Sequence, residues 1–266
     1  MSIIKDKVTQ HLYDNCLINS SQHGFMRKRS CLTNLLEFFE RVTKELDAGN
    51  DMDIVYLDFA KAFDKVSHTK LLNKLKSYGI QGDIFKWISS WLSNRKQRVV
   101  LNGEFSEWIL VLSGVPQGSV LGPLLFIIFI NDIDTSALNI SVLNKFADDT
   151  KLDQVMDTDA DKDALQNCLN SLCTWADKWS MKFNESKCKI LHVGKNNPGD
   201  EYYMNGIKLT ESDEEKDFGV LINKSLKQAS QCSEAARKAN IILGSISRAF
   251  HYRDRYVFVN LYKTYV

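Results

Sequence analysis

Two adjacent aspartates, Asp148 and Asp149, sit in the middle of the stretch NISVLNKFADDTKLDQV (139–155), and a third, Asp58, closes the run DIVYLD (53–58). Adjacent carboxylates repel one another, and a divalent cation neutralises them best. A solvated acidic turn would carry the same residues, since turns favour Asp. Carboxylates at the ends of neighbouring strands of one sheet suit hard cations such as Mg²⁺ or Mn²⁺. A pair of such ions does phosphoryl transfer, one activating an attacking hydroxyl and the other holding a triphosphate. Consecutive side chains in a strand face opposite ways, so Asp148 and Asp149 are not expected to do equal work.

The flanking patterns say what must position these groups. Ile140, Val142 and Phe146 alternate as on one face of a strand, and 150–155 is short and β-tolerant, which puts the acidic pair at a hairpin tip. Upstream, Ile3, Ile4, Val8, Leu12 and Leu17 fit one helical face. Ser30 is placed to cap a second helix running to about Asp47, with Leu32, Leu35, Leu36, Phe39, Val42 and Leu46 inward and Gly49 at its stop. After the strand 53–58, Ser67 caps a helix bearing Leu71, Leu72, Leu75 and Tyr78 and closed by Gly79. Asp83 is expected to cap the next, with Ile84, Trp87, Ile88, Trp91 and Leu92 inward. Asn102-Gly103 and Asn205-Gly206 each mark a tight hairpin. A Gly- and Pro-punctuated loop, SGVPQGSVLGP (113–123), leads into an apolar helix from Leu124 to about Asp132 that must be buried on most sides. Residues 161–179 read as an amphipathic helix with an acidic start that suits the helix dipole. Strands are expected at 187–193 and 217–222. A helical stripe of Ala235, Ala239, Ile242, Leu243, Ile246 and Phe250 follows, then a last helix from Asp254. Strands and helices mix without strict alternation, which favours an α+β sheet backed by helices, then an all-helical C-terminal piece.

Composition constrains the partners little. At 266 residues the chain can bury a sizeable core, and its formal net charge is +1. The charge is clustered: Arg27, Lys28 and Arg29; Arg95, Lys96 and Arg98; and Arg237, Lys238, Arg248, Arg253 and Arg255 near the C-terminus. The six cysteines and five histidines complete no zinc spacing, and no signal peptide opens the chain, so a reducing intracellular setting, nucleus or cytoplasm, is expected. The longest apolar run, Val120–Ile130, is too short to span a bilayer.

Read in order, YLDFAKAFDKVSH (56–68), GVPQGSVLGPLLFIIFIND (114–132), FADDT (146–150) and WSMKFNESKCKILHVG (179–194) resemble motifs A, B, C and D of reverse transcriptases, in the wording of non-LTR, LINE-type retrotransposons. QHGFMRKRSCLTNLL (22–36) resembles the fingers block ahead of motif A, and KDFGVLINKSLKQASQC (216–232) the region after motif D. The resemblance implies a right-hand polymerase fold with an antiparallel palm sheet backed by helices. It divides the chain into partial fingers (1–52), palm with motif A (53–79), a fingers/palm insertion with a hairpin (80–112), palm with motifs B to D (113–222) and the start of a helical thumb (223–266). It implies RNA-directed DNA polymerisation with Mg²⁺ or Mn²⁺, an RNA template, a DNA primer and dNTPs, and no membrane partner.

The same resemblance assigns roles. Asp58 and Asp148 match the metal ligands, with Asp149 as the third acidic residue. Phe63 matches the aromatic under the incoming sugar that disfavours a 2′-OH. Gln117 and Gly118 match the motif B loop against template and nucleotide, and Lys187 the lysine facing the pyrophosphate. Arg27 and Arg29 are candidates for nucleotide phosphates or template, whereas Asp64 and His68 read as structural hydrogen-bonders. The family has a further fingers block ahead of the opening helix and continues past Val266. This length predicts weak or undetectable primer extension by the isolated chain, and it keeps open the reading of a remnant that only binds nucleic acid. A viral RNA-dependent RNA polymerase is the weaker alternative, because that class usually lacks Phe at the sugar position and shows Gly-Asp-Asp.

Overall fold

The protein is described here by a computed structural model covering residues 1–136, 142–250 and 254–266. Ile140 and Arg253 of the sequence patterns lie outside the described residues. The chain opens on α1 (Ser2–Asp14), which buries Val8 and Leu12. Then comes α2 (Cys31–Asp47), where Ser30 and Thr33 form a reciprocal capping box. Strand β1 (Asp51–Leu57) ends one residue before Asp58. A short turn α3 (Ala62–Lys65) leads to α4 (His68–Ser77), capped by Ser67, and to α5 (Gly82–Leu92). The N-cap of α5 is Gln81, and Asp83 falls inside the first turn rather than at the cap. Four two-residue strands follow: β2 (Lys96–Gln97), β3 (Val100–Leu101), β4 (Glu104–Phe105) and β5 (Ile109–Leu110). They pair as one hairpin, β2 with β5 and β3 with β4. At its Asn102-Gly103 tip both residues have positive φ, as a type I′ turn requires.

Helix α6 (Gly122–Ile130) and a 3₁₀ turn (Asn131–Ser136) precede the acidic hairpin β6 (Val142–Phe146) and β7 (Asp149–Met156). Every side chain from Leu124 to Ile130 is buried, and each contributes on the order of 1.5–3 kcal/mol of apolar burial. Helix α7 (Asp159–Trp179) starts from a Thr158–Asp161 capping box. Next are β8 (Lys189–Val193), β9 (Tyr203–Met204), β10 (Ile207–Lys208) and β11 (Thr210–Glu211), with β9 and β10 joined at Asn205-Gly206. Five strands make the main sheet, in the order β11-β8-β1-β7-β6. β1 lies at its centre, antiparallel to β7 and β8, and the β11–β8 pair is parallel.

The two faces of β1 differ in character. Val55 and Leu57 join the apolar core made with α4, α6 and α7. Ile54 and Tyr56 pair with Asp153 and Lys151 of β7, so the opposite face carries buried charge. Helix α2 matches it with polar partners: Arg41 is bonded to Asp153, with Nε at 2.7 Å from Oδ2, and Asn34 donates to the Lys145 carbonyl at 3.2 Å. That rotation of α2 buries Asn34, Leu35, Phe38 and Val42 and leaves Leu32 and Leu36 in solvent, contrary to the inward placement their spacing predicts. Trp87 of α5, also expected inward, is 36% exposed.

The chain divides into two compact units, Met1–Ser212 and Asp213–Val266. The second holds β12 (Glu214–Asp217), β13 (Val220–Asn223), α8 (Ala229–Ala249) and α9 (Arg255–Tyr265). Where one strand over 217–222 is expected, a hairpin turns at Phe218-Gly219, both with positive φ. Asp254 caps α9 by accepting from the Tyr256 N–H at 3.1 Å.

Candidate active site

The site forms where β1 ends beside the β6–β7 tip. In the antiparallel register Leu57 faces Thr150, so Asp58 emerges next to the turn that carries Asp148 and Asp149. Asp148 is half-buried, and burial together with the nearby negative charge of Asp58 pushes its carboxyl above the usual carboxylate range. Asp149, at the first position of β7, is exposed. The two neighbours therefore occupy different environments. Lys187 supplies a cation beside Asp58, with Nζ 4.0 Å from Asp58 Oδ2.

The main chain around both acids is held tightly. At Asp58, the backbone N–H donates to Cys188 Sγ at 3.4 Å and the carbonyl accepts from the Asn184 N–H at 2.7 Å. The Cys188 thiol is buried, and burial raises its pKa to about 11, so it stays a neutral thiol. One residue on, Phe59 stacks on Phe183 at 4.4 Å between centroids. At the hairpin tip, Ala147 adopts a left-handed φ of 58°, a strained choice for a residue with a Cβ. Its N–H donates to Gln22 Oε1 at 2.9 Å, and the same oxygen accepts from the Gly24 N–H at 2.7 Å. Gln22 is 1% exposed. A Cβ on Gly24 would stand 2.4 Å from Ala147 N. The segment 21–24 thus runs along β6 as an extra edge, with the His23 N–H donating to the Lys145 carbonyl at 2.8 Å, and clamps the acidic turn.

The remaining predicted residues fall into two groups. The turn after β1 and the loop before α6 are stitched into one body. The Val115 N–H donates to the Phe63 carbonyl at 2.9 Å, His68 Nε2 donates to the Gly114 carbonyl at 2.8 Å, and Gln117 Nε2 donates to Asp64 Oδ1 at 2.9 Å. Asp64 and His68 are structural hydrogen-bonders, as expected. Gly114 has no room for a side chain, since a Cβ would meet Asp64 main-chain atoms at 2.9 Å. Phe63, half-buried, stacks on the fully buried Phe126 at 4.1 Å and 15°. Gly118 has a φ of +74° with open space around it. The second group lies on the loop between α1 and α2. Arg27 sits over the Tyr13 ring at 5.5 Å, and Arg29 donates to the Ser20 carbonyl and lies 3.0 Å from His23 Nε2. Arg27 is engaged with α1 and Arg29 within its own loop, rather than with the Asp58–Asp148 pair.

Gln22, Gly24 and Cys188 take no role in the sequence reading, although each lies inside a recognised stretch. Their signal is adjacency: Cys188 follows Lys187, and Gln22 opens the fingers block. Among the described residues no three His, Cys, Asp or Glu side chains gather closely enough to cage a metal ion. Asp58 and Asp148 still fit a Mg²⁺-type ion, because that ion is commonly held by one or two carboxylates with substrate phosphates and water completing its shell. Among the described residues no helix is long and apolar enough to cross a membrane.

Comparison with known proteins agrees with this geometry. The family model described as reverse transcriptase (RNA-dependent DNA polymerase) matches residues 1–238. The RNA-directed DNA polymerase from mobile element jockey of Drosophila funebris is 33% identical over 218 residues, 77% of this chain and 22% of that protein. The probable RNA-directed DNA polymerase from transposon X-element of Drosophila melanogaster is 29% identical over 210 residues, 77% of this chain and 23% of that protein. The chain thus spans under a quarter of the length of these relatives. Among solved structures, apo telomerase from Candida tropicalis superposes with a TM-score of 0.60 at 12% identity, over 86% of this chain and 41% of that one. The same enzyme truncated from its C-terminal domain gives 0.59 at 14% identity, over 85% of this chain and 44% of that one. These likenesses establish the right-hand polymerase fold. The chain belongs to the reverse transcriptase family, and its relatives are the polymerases of non-LTR retrotransposons.

Proposed function

We propose that this chain is the polymerase domain of a non-LTR retrotransposon, transferring nucleotides from dNTPs to a primer 3′-OH under the direction of an RNA template. The observation that carries the reading is the closeness of Asp58 and Asp148, the two strand-end carboxylates, with the Lys187 cation beside Asp58. Mg²⁺ or Mn²⁺ bound there would offset the carboxylate repulsion, activate the hydroxyl and hold the triphosphate. The chain's own part is placement and electrostatics. Asp58 and Asp148 fix the acidic pole, with Asp149 beside them in a more solvated role. Gln22 and Gly24 hold the hairpin tip in its left-handed turn. Cys188 and Asn184 hold the Asp58 main chain. Lys187, beside Asp58, would supply a cation to the departing pyrophosphate. Phe63, backed by Phe126, is the sugar gate.

Gly118 offers the template and nucleotide an open, side-chain-free backbone, and Gln117 beside it is held by Asp64. Arg27 and Arg29 flank the nucleotide from the fingers loop once it closes. In this reading residues 1–52 are fingers, 53–79 and 113–222 palm, 80–112 an insertion, and 223–266 the start of the thumb. The six free thiols suit an intracellular setting, nucleus or cytoplasm, where the RNA template and DNA primer are found. Nucleotide addition to an RNA-templated DNA primer, with Asp58→Asn and Asp148→Asn as controls, tests the reading.

A further inference from the structure

The 3₁₀ turn that follows α6 (Asn131–Ser136) takes no part in the site just described, yet its side chains reach four separate elements. Asn131 donates through Nδ2 to the Leu17 carbonyl at 2.8 Å and to the Tyr78 hydroxyl at 2.6 Å, and its Oδ1 accepts from the Asn19 N–H at 2.9 Å. Asp132 Oδ1 accepts from Lys74 Nζ at 2.7 Å and from Trp175 Nε1 at 2.9 Å, which ties the turn to α4 and α7. Asp134 Oδ1 accepts from the Ser21 hydroxyl at 2.6 Å, and its Oδ2 pairs with Lys145 Nζ of β6.

The Asp134–Lys145 pair stands where an apolar contact would be expected. Lys145 is 0% exposed, and Leu143, two residues earlier on the same face of β6, belongs to the apolar core. Burial lowers the Lys145 pKa, and the charge and hydrogen bond of Asp134 oppose that shift. A buried ion pair is weak evidence for stability, since two apolar side chains of similar volume often hold a fold as well or better. What an apolar pair lacks is direction. Asp134 grips Ser21 and Lys145 at once, and the main chain joins the same two residues again, where the Lys145 N–H donates to the Ser21 carbonyl at 2.9 Å. The residue after Ser21 is Gln22, whose Oε1 holds the Ala147 N–H, next to Asp148. A slip of one residue between segment 21–24 and β6 would turn the Gln22 side chain to the other face.

We propose that Asp134 and Lys145 are positioning residues: with Ser21 they set the register of segment 21–24 along β6, and through Gln22 they fix the turn that carries Asp148. They act on main-chain placement and not on substrate. Asn131 and Asp132 hold the 3₁₀ turn against its neighbours, so Asp134 is presented from a fixed point, and a reactive group is held only as closely as the shell that supports it. The catalytic consequence rests on the polymerase reading; the register does not.

The test compares the full 266-residue chain with Ser21→Ala and with the double variant Asp134→Leu, Lys145→Met. The double variant removes both charges together, so no lone ion is left buried. Ser21→Ala removes one hydroxyl from a partly exposed residue, and it decides the matter if the double variant does not fold, which urea denaturation checks. Hydrogen exchange reads the amides of 22–24 and 145–149 without metal or dNTP. The expected result is a urea midpoint near wild type, with exchange in those segments about tenfold faster in the double variant and about threefold faster in Ser21→Ala, and unchanged in β1 and α6. Single-turnover nucleotide addition should fall about tenfold in the double variant at unchanged primer–template affinity, because a misplaced turn acts on the chemical step. If the pair served stability alone, the folded double variant would keep wild-type exchange and turnover, and that result would overturn the proposal. Wild-type exchange in a folded Ser21→Ala chain would overturn it as well. A wild-type chain with no turnover at all fails the polymerase reading, and the exchange comparison still decides the register.

Discussion

Lys187 Nζ stands 4.0 Å from Asp58 Oδ2, with the lysine 68% and the aspartate 42% exposed. A pair this open to water adds little to stability. On the proposed function, its value is in placing a cation beside the acidic pole, available to a leaving group. Lys187→Ala should leave unfolding free energy within about 0.5 kcal/mol of wild type, yet slow single-turnover nucleotide addition by about tenfold or more. A variant with wild-type turnover would remove Lys187 from the site.

The clamp on the acidic turn predicts a different signature. Gln22→Ala deletes the acceptor shared by the Ala147 and Gly24 N–H groups. Leaving buried donors unpaired costs about 1–3 kcal/mol. Gly24→Ala forces a Cβ against Ala147 N, at a cost of about 1–3 kcal/mol for overpacking. Urea denaturation should show both losses, and Gly24→Ala should also reduce turnover because the displaced atoms belong to the turn bearing Asp148. Wild-type stability in both variants would contradict the clamp.

Carboxylate crowding sets the sign of a third effect. Asp148 is half-buried beside Asp58, and burial and that charge both raise its pKa. Without metal near neutral pH, the charged form is therefore disfavoured in the fold, and Asp148→Asn should raise the melting temperature while abolishing turnover. Mg²⁺ or Mn²⁺ should raise the melting temperature of wild type more than that of Asp148→Asn. A lower metal-free melting temperature in the variant would show that the carboxylate stabilises the fold by some other contact.

A buried network far from the tip supplies a pH signature. Asp53, fully buried, accepts from His192 Nδ1 at 2.6 Å, Asn197 Nδ2 at 2.8 Å and the Tyr202 hydroxyl at 2.7 Å. Burial disfavours charge on His192, but the hydrogen bond and negative charge of Asp53 outweigh it and hold its pKa above the usual 6.5. A raised folded value means the stabilisation is complete below the unfolded pKa and is lost as pH rises through the folded one. The stability gap between wild type and His192→Gln should thus be wider near pH 6 than near pH 8.5, by urea midpoint. A gap that grows with pH would reverse the assignment.

Most of the architecture could be read from residues because local chemistry and global fold agree. Ser30, Ser67 and Asp254 cap the helices they announce, both Asn-Gly pairs turn hairpins, and the apolar run at 124–130 is buried throughout. The misses have separate physical causes. Helix α2 turns Leu32 and Leu36 outward because Arg41 and Asn34 must reach charged and carbonyl groups on the sheet, a demand invisible in a hydrophobic stripe. The 214–223 hairpin hides because Phe218 adopts a positive φ that no propensity assigns it. Around the site, Asp58 and Asp148 were legible as strand-end carboxylates, and their roles rest on motif resemblance. Gln22 and Cys188 act through main-chain atoms of residues more than a hundred positions away, and such contacts leave no local pattern.

The most direct measurement is addition of a single radiolabelled dNTP to a DNA primer annealed to RNA, with Mg²⁺ or Mn²⁺. The account predicts slow, template-matched addition by the wild-type chain that falls at least about a hundredfold in both Asp58→Asn and Asp148→Asn. Addition that survives either substitution, or none by a wild-type chain shown to hold the primer–template, would contradict it.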